Sequence, residues 1–166
     1  MKLSFLGTRG YTEIATRRHR RHSTMIVGYH GHRMMVDCGE DWLGRLEALH
    51  PQAIVLTHAH PDHAWGLRAG APCPVFATRE TWDHLPYEIA ERRIVVARRP
   101  VRIAGITFEA FPVEHSTRAG AIFTHCGTEV ITTDERRLGA RLRAMARECG
   151  VAAAIAHDGL SLTLRA

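Results

Sequence analysis

The sequence predicts a mixed α/β domain. Three observations point there. An N-terminal segment alternates apolar and polar residues, a short continuous apolar run sits near residue 55, and one long amphipathic stretch lies near the C-terminus. Lys2–Leu6 alternates and ends in Gly7, a first strand. Thr8–Ser23 has no apolar period and is expected to be a long loop carrying the run Arg17-Arg18-His19-Arg20-Arg21-His22. Thr24–Tyr29 and Arg33–Val36 form a strand pair around His30-Gly31-His32. Trp42, Leu43, Leu46 and Leu49 lie at helical spacing, and Pro51 stops that predicted helix. Ala53–Thr57 has the character of a strand buried on both faces. Thr78–Leu85 is predicted as a short helix capped by Thr78. Strands follow at Pro74–Phe76, Ile94–Ala97, Ile106–Phe111 and Ala121–Thr124. Glu135–Glu148, with Leu138, Leu142 and Met145 on one stripe, is the clearest helix. Val151–Ala156 and Leu160–Leu164 are expected to close the sheet.

Composition bounds the class. The 166 residues are 45% hydrophobic and 23% charged, a globular mix that excludes a disordered chain and suits one domain over 1–166. No apolar run reaches membrane-spanning length, so no membrane is expected. The segment MKLSFLGTRG has no apolar leader core, and the four cysteines form no C-x-x-C pair. Both favour a reducing cytoplasm over a disulfide scaffold. Lys2 is the only lysine, so the formal charge of +5 rests on arginine. A GC-rich genome gives that bias too. Twelve histidines are the more telling feature.

The buried strand runs straight into Thr57-His58-Ala59-His60-Pro61-Asp62-His63. His58 and His60, two apart in extended chain, project the same way and can chelate one cation. Asp62 and His63 follow Pro61, where a helix can begin, and can turn toward a second cation. Neutral imidazole and carboxylate suit Zn, Mn or Fe, one ion or two. A run of solvated histidines, or of core histidines bonded to backbone, does not explain why an apolar strand feeds directly into four donors.

The motif THAHPDH resembles that of the metallo-β-lactamase superfamily. Val36-Asp37-Cys38-Gly39 resembles its first motif. Phe5-Leu6-Gly7-Thr8 followed by Arg20-Arg21-His22-Ser23-Thr24 is similar to the branch of phosphodiesterase-like and tRNA 3′-processing-like members. Pro112-Val113-Glu114-His115-Ser116 resembles the third motif, Ala121 to Cys126 the last ligand strand, and Ala156-His157-Asp158-Gly159 the C-terminal tail. The resemblance implies a four-layer αββα sandwich and a metal-dependent hydrolase of phosphodiester bonds. It implies His58, His60 and His115 on one ion and Asp62, His63 and His125 on the other. Asp37 then orients a ligand histidine, Asp62 also takes the proton of the attacking water, and His157 orients substrate or water. The early loop borders the metal cleft, so Arg17, Arg18, Arg20 and Arg21 are candidates for holding a phosphate, of a small molecule or of a nucleic acid.

One departure matters. The family separates its third-motif histidine from its last ligand histidine by a long stretch that includes an Asp bridging the two metals. Here His115 and His125 are ten positions apart with no Asp between them, so the second half of the sandwich is expected to be incomplete. Asp134 could substitute only if the fold brings it round, but it precedes the clearest helix and is expected to be its N-cap. The shortened half is expected to leave an open edge that a homodimer or larger assembly covers. The competing reading is a non-catalytic relative that binds metal or nucleic acid; thioester or lactam hydrolysis shares the site, with less to favour it. Cys38 and Cys126 are expected in the core, and His19, His22, His30, His32 and His84 on the surface.

Overall fold

A computed structural model describes residues 1–111, 126–148 and 153–164 of the chain. Strand β1 (Lys2–Gly7) pairs antiparallel with β2 (Thr24–Tyr29), which turns back into β3 (His32–Val36). The two turn residues, His30 and Gly31, have φ of 46° and 80°, which matches the twist of the strands they join. Pairing then switches to parallel through β4 (Ala53–Val55), β5 (Val75–Ala77) and β6 (Arg92–Ile94). β7 (Val101–Ile103) and β8 (Ile106–Phe108) form a separate hairpin, and β9 (Ser161–Thr163) returns to the outer side of β1. Among the described residues the large sheet runs β6-β5-β4-β3-β2-β1-β9. The helices are α1 (Pro61–Ala64), α2 (Arg79–Asp83), α3 (Thr128–Thr132) and α4 (Glu135–Glu148).

Strand alternation divides the core in two. Met34 and Met35 are adjacent, both fully buried, and belong to different clusters. Met35, Ile54, Leu67 and Val75 pack with Trp42 and Trp82 on the face covered by α1 and α2. Leu3, Phe5, Val27, Met34 and Ala53 pack on Ile103, Val101, Ile106 and Phe108 of the β7–β8 hairpin. One sheet thus carries helices on one face and a second sheet on the other, three successive layers of an αββα sandwich. Each fully buried Ile, Met or Phe contributes about 1.5–3 kcal/mol. Among the described residues the second sheet consists of β7 and β8 alone.

Several local expectations are corrected. The predicted helix from Trp42 to Leu49 is two short 310 turns, Glu40–Trp42 and Glu47–Leu49, because Gly44 at φ 70° breaks the winding between them. Trp42 and Leu46 still reach the core, but Leu43 is exposed. The strand expected at Ile94–Ala97 pairs two residues earlier, at Arg92–Ile94, and the one expected to Phe111 ends at Phe108. Strand β7 went unpredicted because its turn is Ala104-Gly105, with φ of 45° and 80°, and alanine gives no turn signal. Met145 does not join the α4 stripe. It is 66% exposed, and Gly139 and Ala146 face inward instead, beside Leu138 and Leu142. Residues 153–156 hold a single bridge at Ile155 rather than a strand. The predicted strand at Ala121–Thr124 lies outside the described residues.

Candidate metal centre

The site forms where antiparallel pairing gives way to parallel, at the carboxyl ends of β3 and β4, where open α/β sheets leave a crevice. At the end of β3, Asp37 adopts φ 58°, a left-handed conformation that Asp tolerates better than most residues. Its own N–H donates to Val55 O at 2.9 Å. This kink aims its carboxylate at the loop after β4. Oδ1 accepts from Thr57 N at 2.8 Å, and the Thr57 hydroxyl donates to the same carboxylate. Oδ2 accepts from His63 Nδ1 at 2.7 Å.

These bonds choose tautomers. The Thr57 hydroxyl spends its proton on Asp37, so it accepts from His58 Nδ1 at 3.0 Å, and the lone pair of His58 sits on Nε2. His63 donates through Nδ1, which leaves its lone pair on Nε2 as well. The rings of His58 and His60 lie 4.6 Å apart and those of His58 and His63 4.0 Å apart. Asp62 is fully buried, His63 nearly so, and His60 exposed.

The donor set fits a divalent cation. His63 Nε2 and Asp62 Oδ2 stand 3.4 Å apart. Two donors at ordinary zinc distances on a tetrahedral ion are separated by about 3.4 Å. An imidazole lone pair facing a carboxylate needs a positive charge between them, whether proton or metal. Burial opposes charge on His63, but Asp37 and then Asp62 outweigh it and push its pKa up to about 9. Among the described residues alone no group of three or more donors is arranged to hold an ion. His115 and His125, the two remaining expected ligands, lie outside those residues. Cys38 is fully buried, and burial pushes its thiol far above the usual range. Like Cys126, it is a core residue.

Backbone contacts fix the ligand helix. Pro61 occupies the first position of α1 after the extended His60, and Ala64 N closes the turn on His60 O at 2.9 Å. Cys38 N donates to His63 O at 2.6 Å, Gly66 N to Cys38 O at 2.9 Å, and Tyr87 Oη to Ala64 O at 2.6 Å.

The early loop is more ordered than expected, and His19 and His22 are corrected from surface to buried, at 2% and 8% exposure. Burial lowers the pKa of both. The carboxylate of Asp158 accepts from Thr8 N and Oγ1 at 2.9 and 2.8 Å and from Arg20 N and Arg21 N at 3.0 and 2.9 Å, pinning the loop to the end of β1. Asp41 does the same nearer the metal loop, accepting from His22 N at 2.8 Å and Arg9 Nη2 at 2.6 Å. Asp41 and Arg9 carry no signal in the sequence, and Asp158 stands out only as part of the tail motif, with no sign of this role. The bonds to the two carboxylates span 19 to 150 residues, and no local pattern announces them. Arg17 and Arg20 point to solvent, Arg18 pairs with Glu135 at 2.6 Å, and the Arg21 guanidinium lies 4.8 Å over the Trp42 ring. His157 donates through Nδ1 to Asp158 O at 3.0 Å and neighbours His19. Asp134 Oδ1 accepts from Arg136 N at 3.0 Å, an N-cap of α4 as expected.

The profile of the "Beta-lactamase superfamily domain" family matches residues 32–150, which is more than half of the chain. The chain belongs to this superfamily. Among solved structures, Zn(2+)-bound PqqB from Methylobacterium extorquens aligns at 16% identity, over 99% of this chain and 100% of that one, with a TM-score of 0.66. A diphosphatase of the PhnP family aligns at 18% identity, over 99% and 98%, with a TM-score of 0.56. Both share the metallo-β-lactamase fold with this chain. No curated protein matches in sequence. In this superfamily member the matched span takes in β3, Asp37 and the whole His58–His63 motif.

Proposed function

We propose that this superfamily member is a metal-dependent hydrolase acting on phosphodiester bonds. The observation that carries the reading is the packing of the His58 ring against those of His60 and His63, at 4.6 and 4.0 Å, with His63 gripped by Asp37 at 2.7 Å and 3.4 Å from the buried Asp62. The zinc named in the PqqB structure supports zinc here, and the PhnP-family diphosphatase supports phosphorus–oxygen chemistry. His58, His60 and His115 would hold one ion, and Asp62, His63 and His125 a second. A divalent cation so held supplies Lewis acidity and lowers the pKa of a bound water to about 7. Asp37 keeps His63 in the donor tautomer. Asp62 accepts the proton released by the attacking water. Arg17 and Arg20, exposed loop arginines, meet the phosphate oxygens. We place the reaction in the cytoplasm. Cys38, Cys73 and Cys126 are free thiols, and among the described residues no helix is long and apolar enough to cross a membrane.

Purified protein is expected to bind about two transition-metal ions and to cleave bis(p-nitrophenyl) phosphate with zinc or manganese. One ion or none, with no turnover, selects the non-catalytic reading instead. That reading has its own support: Asp134, the aspartate considered as a substitute for the missing bridging one, is spent as a helix cap.

We also propose that the chain dimerises through β9. Leu162 pairs opposite Leu3, and Leu164 N donates to Met1 O, so the N–H and C=O groups of Ser161 and Thr163 face outward. Leu162 and Leu164 are 38% and 45% exposed, and no charge guards the described strand. The opposite edge, β6, carries Arg92 and Arg93. An uncharged edge is self-complementary in antiparallel pairing with a second copy. Light scattering should give twice 18.6 kDa, and a mass of 18.6 kDa across micromolar concentrations refutes the pairing.

A further inference from the structure

We infer that the outer face of α4, together with the Arg17–Arg20 loop, is a docking surface for the phosphate backbone of a nucleic acid strand. Binding there requires no metal, so it stands or falls separately from the hydrolase reading. Helix α4 carries Arg136, Arg137, Arg141, Arg143 and Arg147 against Glu135 and Glu148. All five arginines are exposed, and among the described residues no ion pair joins any of them to a carboxylate. Glu135 is taken by Arg18, and this 2.6 Å bond joins helix to loop although they lie over a hundred residues apart.

The charge is concentrated rather than general. Residues 17–21 and 135–148 hold nine arginines and two glutamates, a net of +7. The whole chain is +5, so everything else sums to −2. At 3.6 residues per turn, Arg136, Arg143 and Arg147 fall within about 40° of one another and span about 16 Å of helix. Arg137 and Arg141 form a second row, and the small Ala140 and Ala144 lie between the rows. Two arginine rows flanking a shallow strip suit a chain of phosphates. Guanidinium forks hold phosphate oxygens in pairs. An anionic bilayer is the poorer partner. The apolar stripe of α4 is turned inward, and Met145 is its one large apolar side chain offered to solvent.

The test uses the full chain without added metal and a fluorescein-labelled 20-nucleotide single strand, as RNA and as DNA, with anisotropy read from 50 to 200 mM KCl. Parent protein is expected to bind both strands with a steep salt dependence; tighter binding of either names the preferred polymer. R136E/R143E/R147E should lose at least tenfold in affinity at 50 mM salt. Its log–log salt slope should be about 2 units shallower, since each lost single-strand phosphate contact removes about 0.7. R79E/R99E/R102E makes the same charge change elsewhere on the exposed surface and should stay within threefold of the parent. If the first variant loses its helical circular dichroism, R136Q/R143Q/R147Q carries the same comparison at nearly equal helix propensity. Three outcomes overturn the inference: no parent binding at 50 mM salt, equal losses in the two triple variants, or preference for phosphatidylserine vesicles over both oligonucleotides.

Discussion

His60→Ala should abolish hydrolysis and lower the bound metal by about one ion while the protein melts at the parent temperature. The expectation rests on where His60 sits. It is the exposed residue just before α1, its side chain makes no cap bond to the helix, and its backbone already holds the extended conformation that any residue adopts there. Truncation therefore opens no cavity. What it removes is one imidazole of the cluster, its ring set edge-on to that of His58 with centroids 4.6 Å apart. An ion that loses a donor binds less tightly and polarises its water less. A loss of about 4 kcal/mol in barrier lowering is a factor of about 10³ in rate. Asp37→Asn should be milder in metal affinity, about 10–100-fold, because the amide still holds Thr57 but not the His63 tautomer. Metal analysis of the purified variant and its rate on bis(p-nitrophenyl) phosphate decide the matter. Retained metal and retained rate in His60→Ala would place the chemistry elsewhere.

What could be seen in the sequence was short-range. His58–His63 packs four donors into six positions behind an apolar strand, so the metal motif needed no tertiary information. The cap on α2 is equally local: the Thr78 hydroxyl accepts from Thr81 N three residues on. Glu135–Glu148 shows its period over nearly four turns, and its start falls where the pattern places it. Hidden features are those settled at a distance or by one torsion. His19 looked like part of a solvated basic run. It is buried because Thr8 Oγ1 lies 2.9 Å from its Nδ1 and Asp158, 139 residues later, closes the pocket around both. The Trp42–Leu49 spacing was genuinely helical in pattern, and Gly44 overrode it by turning left-handed. Met145 shows the limit of a stripe: helical phase says which residues share a face, but the neighbouring elements decide how wide the buried face is.

Gly66→Ala should cost about 3 kcal/mol or more and weaken metal binding with it. Gly66 has no need of glycine's torsional freedom; its φ is ordinary. The requirement is space. A β-carbon there would lie closer than 3 Å to Cys38 Sγ, Gly39 O and Cys38 O, and the last two are backbone atoms that cannot rotate aside. Gly66 N also donates to Cys38 O, so the contact is held from both sides. Relief means separating the segment after α1 from the Asp37–Gly39 turn. That movement stretches the 2.6 Å bond from Cys38 N to His63 O and pulls His63 from Asp37. Overpacking a core side chain costs about 1–3 kcal/mol, and a collision with backbone exceeds it. At about 2–4 °C per kcal/mol for a chain of this size, the melting temperature should fall by about 6–12 °C. Gly28→Ala is the control: its β-carbon meets nothing nearer than 3.8 Å, and strand propensity favours alanine there, so stability should change by less than about 1 kcal/mol. If Gly66→Ala melts with the parent and binds zinc as tightly, the close seam between the two motifs does not exist, and Asp37 does not set the geometry of His63.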